Sequence, residues 1–196
     1  MARFSLKPNL LAAFSLGHCA NDMVPIGMYI LIPAFGTAMG LSAAEIGLLF
    51  MIHSLGGSIA FVPAGMLADH IANRSIILAA TFFWVGFGYL AASFSDGFWP
   101  FAFLIAIAAM GDAAWHPVAT GVLAQVHKAR RAYALGVHAI GGHLAEVIAL
   151  PVAGLVLAMW DWRVAIQVLA VPTFLVGLLF ILIRRKVPRH VNSRPT

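Results

Sequence analysis

Gly17-His18-Cys19-Ala20-Asn21-Asp22, with Pro25 close behind, and Gly111-Asp112-Ala113-Ala114-Trp115-His116-Pro117 are the stretches on which the fold turns. Each combines Gly, Asp, His and Pro near the middle of an apolar run long enough to span a bilayer. A third acid, Glu146, lies in another such run, and each of the three acids has a histidine three or four residues away. An ionisable group at the bilayer centre costs at least about 2.5 kcal/mol on insertion scales, so all three acids are candidate functional residues by scarcity alone.

Outward from these stretches, the 196-residue chain is 62% hydrophobic and only 10% charged. Its mean hydropathy of +0.93 is higher than a water-soluble domain tolerates on its surface. That composition describes an integral membrane protein whose first partner is the lipid bilayer. The first apolar stretch is about twice as long as a secretory h-region and lacks a small-residue cleavage site, so it reads as a retained helix rather than a signal peptide. About 20 apolar residues per span, cut at polar or Pro/Gly breaks, predict six transmembrane helices at roughly 9–37, 44–68, 75–95, 99–125, 131–159 and 162–183. They form one domain over 1–196, ending in a basic tail over 184–196. All-round hydrophobicity instead of period-two alternation speaks against a β-barrel, and the expected class is all-α and polytopic.

The single Cys19 excludes an intramolecular disulfide and a cysteine metal cluster. A pI near 10.0 does not mark a nucleic-acid binder here, because no basic stripe is interleaved with aromatics and the cations collect at helix ends. Arg3 and Lys7 precede helix 1, Arg74 lies in the second loop, Lys128, Arg130 and Arg131 in the fourth, and Arg184, Arg185, Lys186, Arg189 and Arg194 follow helix 6. Of the 12 Lys and Arg residues only Arg163 falls on the other side, and the positive-inside rule makes the basic side cytoplasmic. Both termini are therefore expected in the cytoplasm of a bacterial cell whose inner membrane holds the chain, with the tail against anionic headgroups.

The two opening stretches lie three helices apart and so run in opposite directions, as in an inverted three-plus-three repeat whose Gly/Pro-interrupted segments mark a binding site. At 1.5 Å per residue, Asp22 lies about 20 Å along helix 1, Asp112 about 20 Å along helix 4 and Glu146 about 22 Å along helix 5, all near the midplane. His18, His116 and His143 share a helical face with their acids at i−4, i+4 and i−3. Intramembrane Asp, Glu and His are the usual material of proton relays, so Asp22, Asp112, His18, His116, Glu146 and His143 are the expected proton-coupling residues. The competing reading has Asp22 capping broken backbone at Asn21 and Pro25, and Asp112 and His116 satisfying Pro117. His53 is expected to be structural, and His70, His127 and His190 to sit at the cytoplasmic surface. No metal or cofactor is expected: His138 and His143, at i and i+5, diverge by about 140° and make no local chelate.

Gly65-Met66-Leu67-Ala68-Asp69-His70-Ile71-Ala72-Asn73-Arg74 resembles the G-x-x-x-D-R/H loop between the second and third helices of the major facilitator superfamily, with His70 where an arginine usually stands. In that resemblance Gly65 lets helices approach, Asp69 complements a neighbouring helix N-terminus and Arg74 holds the loop. His18-Cys19-Ala20-Asn21-Asp22 and His116-Pro117 are similar to the first and fourth helices of its fosmidomycin-resistance-like branch, although Val118 stands where that branch carries an acid. Gly141-Gly142, Pro151 and Gly154 resemble the glycine- and proline-rich fifth helix of antiporters, and Trp162-Arg163 opens helix 6 as it often does in the superfamily.

The resemblance implies half of a major facilitator fold, since members normally join two six-helix bodies around a substrate. A homodimer or a missing second half is therefore expected as partner. The function implied is secondary active transport of small organic molecules by proton-coupled export. Asn21, Asp22, Asp112, Trp115 and His116 are the expected substrate-binding residues. The alternative from another class is a non-transporting membrane subunit that kept the scaffold. An enzyme is not expected, because no nucleophile elbow, metal-binding helix pair or phosphate-cradling loop is present.

Overall fold

The computed structural model describes residues 10–189, so Arg3, Lys7, His190 and Arg194 and the end of the basic tail lie outside the described residues. Six helices follow one another: α1 (Leu10–Ala38), α2 (Ala43–His70), α3 (Arg74–Ala92), α4 (Phe98–Val126), α5 (Arg131–Met159) and α6 (Trp162–Leu182). A single 3-10 turn, Lys128–Arg130, precedes α5, and no strand occurs among the described residues. All six helices are long and apolar enough to cross a membrane.

Local chemistry sets the helix ends. α1 stops in a Schellman turn: Gly40 adopts φ 68°, Leu41 N–H reaches back to the Gly36 carbonyl at 2.8 Å and Gly40 N–H to that of Thr37 at 3.2 Å. α2 starts in a capping box, in which Ser42 Oγ accepts from Glu45 N–H at 3.3 Å and Glu45 Oε2 accepts from Ser42 N–H at 2.8 Å. Asp161 caps α6 by accepting from Val164 N–H at 3.0 Å. Prolines inside α1, α2, α4, α5 and α6 leave each helix continuous. Neighbouring helices and side chains can satisfy the backbone groups that such prolines free in a membrane.

Packing repeats when the first three helices are exchanged for the last three. α1 packs most extensively on α5, and α4, its counterpart, on α2; α3 and α6 lie against each other. The two principal contacts use the same device. A Cβ on Gly56 of α2 would collide with the Ala106 carbonyl of α4, and one on Gly141 of α5 with the Ser15 carbonyl of α1. Without side chains there, the backbones approach closely, which is how membrane helices associate when lipid is as apolar as their core. Gly65, expected to provide a close approach, does not: its Cβ would meet only Pro117 Cβ at 3.6 Å, an ordinary contact.

Two apolar clusters fill the interior. In one, Phe35 stacks on Phe101 at 3.9 Å with the edge of Trp162 against both; in the other, Phe14, Phe82, Trp115 and Phe180 pack together. Along α1 the first ends at Met23 and the second reaches Ala20, so the polar run from His18 to Asp22 falls where they meet. α2 and α5 bury only a narrow stripe dominated by small residues, and many of their large apolar side chains, among them Leu55, Ile59, Val147 and Leu155, are exposed.

Candidate functional site

Asp112 stands at the centre of α4, and α1 passes it with His18, Asn21 and Asp22. His18 Nε2 lies 3.2 Å from Asp22 Oδ2, one turn along the same helix. His116 Nε2 reaches across from α4 to Asp22 Oδ1 and back to Asp112 Oδ1, at 3.7 Å in each case. Asn21, fully buried, donates from one amide nitrogen to Asp22 Oδ1 at 3.3 Å and to Asp112 Oδ1. The two acids are thus held around a single amide group, and α1 and α4 are tied through polar contacts at mid-bundle.

α5 completes the arrangement. A carbonyl oxygen can only accept, so the 2.9 Å contact between His18 Nδ1 and the His138 carbonyl places a proton on Nδ1. In the neutral ring Nε2 then carries a lone pair that faces a carboxylate oxygen. That contact is attractive only with a positive charge between the two atoms. The His138 ring stacks on that of His18 at 4.3 Å, and its Nδ1 donates to the Phe14 carbonyl at 3.2 Å. Gly142 makes room, because a Cβ there would press on His18 Nε2 at 2.9 Å and on Asp22 Oδ2 at 3.2 Å.

A cavity of about 260 Å³ opens beside the cluster, lined by Asp22, Tyr29, His53, Ser54, Asp112 and His116 among others. His53 Nε2 is 2.7 Å from the hydroxyl of the buried Tyr89. Sequence reasoning took His53 for structural and passed over Tyr89. No acid stands near His53 along the chain, and its partner lies on another helix.

Other expected residues fall elsewhere. Glu146 and His143 are largely exposed and contact each other at 3.6 Å. The buried stripe of α5 runs through Ala134, His138, Gly141, Ala145 and Ala149, and neither residue lies on it. Trp115, expected at the substrate, is fully buried among Phe14, Phe82 and His138 and does not line the cavity, being one helical step from His116. Asn21 likewise serves the acids rather than the cavity wall. At the start of α3, buried Arg74 donates to the Ala68 carbonyl at 3.3 Å and to Gln125 Oε1 of α4 at 3.1 Å, and pairs with the largely exposed Asp69 at 3.5 Å. On α6, Arg163 binds the Ser93 and Ser95 carbonyls at 2.8 and 2.9 Å and lies over the Trp162 ring.

Residues 14–196 match the family model of the Major Facilitator Superfamily. The chain is 27% identical over 164 residues to a protein of Helicobacter acinonychis (strain Sheeba) named "Probable sugar efflux transporter", a match taking in 81% of this chain and 40% of that one. Its fold is similar to that of a bacterial homolog of the human lysosomal transporter Spinster in an inward-facing, unoccupied conformation, with a TM-score of 0.80 at 19% identity over 98% of this chain and 46% of the other. It is similar also to the peptide transporter POT, with a TM-score of 0.81 at 19% identity over 96% and 40%. The chain therefore spans less than half the length of each of these relatives.

Proposed function

Because the chain belongs to the Major Facilitator Superfamily, we propose that it is a six-helix body of a secondary transporter that exports small organic molecules in exchange for protons. The observation that carries this reading is the contact of His18 Nε2 with Asp22 Oδ2 at 3.2 Å, with the other ring nitrogen already bonded to the His138 carbonyl. A proton is the simplest positive charge to sit between them, and it can be loaded and released.

Proton release would leave two carboxylates, Asp22 on α1 and Asp112 on α4, around one Asn21 amide, with His116 as their remaining cationic partner. Their repulsion favours separation of α1 from α4, whereas protonation favours the arrangement seen here. Such a differential preference shifts the population between two bundle states, which is the alternating-access step. Asp22, Asp112, His18 and His116 are the proton-coupling residues in this scheme. Asn21 positions the acids, and substrate meets Asp22, Asp112 and His116 together with Tyr29, Phe50, His53 and Ser54 on the cavity wall.

Hydroxyl-bearing compounds suit that mixture of aromatic faces and hydrogen-bonding groups. Sugars are the first class to try, as the relative named "Probable sugar efflux transporter" suggests. A second six-helix body, from a second copy or from further chain, would cover the open cavity and the outward apolar faces of α2 and α5. The distribution of Lys and Arg supports a bacterial inner membrane with both ends of the bundle's chain on the cytoplasmic side.

The test is reconstitution in proteoliposomes under an imposed pH gradient, with labelled sugars and a pH-sensitive dye read together. Substrate-dependent proton movement supports the proposal. A correctly inserted protein that pairs with a second six-helix body and still moves neither substrate nor protons leaves the non-transporting membrane subunit as the reading.

A further inference from the structure

The geometry points to a binding site for a divalent transition-metal ion formed by His18, Asp22 and His116, an inference that goes beyond transport and stands whether or not the chain moves cargo. His18 Nε2, a carboxylate oxygen of Asp22 and His116 Nε2 all lie within 4.8 Å of one another. His18 Nε2 is 3.2 Å from Asp22 Oδ2, and His116 Nε2 is 3.7 Å from the other carboxylate oxygen, Oδ1. A tetrahedral ion about 2.0–2.1 Å from nitrogen and oxygen ligands holds them about 3.3 Å apart, so whichever Asp22 oxygen binds, the histidine facing the other oxygen and the His18–His116 separation both have to draw in.

Three further observations fit a ligand set. His18 donates its Nδ1 proton to the His138 carbonyl at 2.9 Å, the outer-shell bond that fixes tautomer and ring plane in metal-ligating histidines. Asp112 Oδ1, gripped by Asn21, lies 3.7 Å from His116 Nε2 at the margin of the group, beside a cavity that can supply water as a fourth ligand. No Lys or Arg is among the residues lining that cavity, so a dication would offset both carboxylates. Two imidazoles with a carboxylate suit Zn2+, Co2+ or Ni2+, whereas Mg2+ and Ca2+ want oxygen alone. The spacing that argues against chelation along α5 does not apply, because α1 supplies an i, i+4 pair and α4 the third ligand.

Titration of tag-free, monodisperse protein in nanodiscs with Co2+ and then Zn2+ tests the site. The expected result is one Co2+ per chain with the intense visible absorption of a tetrahedral site, displaced by Zn2+. Binding should weaken more than about tenfold in His18→Gln and in His116→Gln and be retained in His70→Gln. In the unaltered protein, Zn2+ should shield His18 and His116 from diethylpyrocarbonate, read by peptide mass spectrometry, a measurement independent of whether the variants fold. Absence of saturable binding, equal affinity in folded His18→Gln and His116→Gln, or unchanged modification of both histidines overturns the inference. Metal binding without proton flux sinks the transport reading and leaves the site; flux without binding does the reverse.

Discussion

His18 and Asp22 stand one turn apart on α1 with Nε2 3.2 Å from Oδ2, while the opposite ring nitrogen of His18 is bonded to the His138 carbonyl on α5. Whatever charge sits between the first two atoms is therefore felt by α5 through the imidazole. Through His116, 3.7 Å from Asp22 Oδ1, it is felt by α4 as well. One acid is linked to three helices.

Asp22→Asn keeps the shape of that acid and removes its titration. Under the proposed mechanism, proton-driven flux falls to background while the variant still inserts and elutes as a single species from size exclusion. The side chain is partly exposed to the cavity, so the uncharged amide can be solvated. Wild-type pH-dependent flux in this variant, read with an entrapped dye, would remove Asp22 from the proton path.

Gly56→Ala and Gly65→Ala, on the same helix, should behave differently. At Gly56 a methyl group collides with the Ala106 carbonyl; at Gly65 it meets only Pro117 Cβ at 3.6 Å. Overpacking of a tight contact costs about 1–3 kcal/mol. A clear drop in apparent melting temperature in detergent is expected for Gly56→Ala and little change for Gly65→Ala. Equal melting of the two variants would show that the α2–α4 contact is looser than the backbone positions imply.

The contrast between Gly56 and Gly65 also shows what the sequence can and cannot disclose. Six helices were readable because apolar runs of spanning length have no other soluble or barrel interpretation, and Asp22 and Asp112 stood out because intramembrane acids are scarce. Which face of each helix points inward was not readable. A membrane helix is apolar on its outer face too, so nothing in the pattern separates Glu146 from its buried neighbour Ala145, or Trp115 from the cavity-facing His116. Helix-by-helix spacing also hid the cross-helix group of His18, Asp22 and His116, and the pairing of His53 with Tyr89.

Arg74→Ala should be more damaging than Asp69→Ala. Asp69 is 71% exposed, and an exposed ion pair contributes about 0–1 kcal/mol. Buried Arg74 also joins the Ala68 carbonyl and Gln125, so its removal loosens the end of α4 from the α2–α3 loop. The expected outcome is a lower melting temperature and faster tryptic cleavage near Lys128 in Arg74→Ala, with Asp69→Ala close to wild type. A larger loss in Asp69→Ala would mean that the carboxylate acts on a partner other than Arg74.

Tyr89→Phe separates substrate contact from proton handling. The hydroxyl lost is the 2.7 Å partner of His53 Nε2, and His53 lines the same cavity as Asp22 with no hydrogen bond to the acid cluster among the described residues. A buried polar atom left without its partner costs about 1–3 kcal/mol, which His53 can recover only by turning toward the cavity or taking up water. Substrate would then meet a displaced imidazole. KM should rise about tenfold or more, by the same free energy, while the stoichiometry of protons to substrate stays unchanged, because no group of the acid cluster is altered. A changed stoichiometry with constant KM would instead place the His53–Tyr89 pair on the proton path, and the cavity wall and the proton site would have to be treated as one unit.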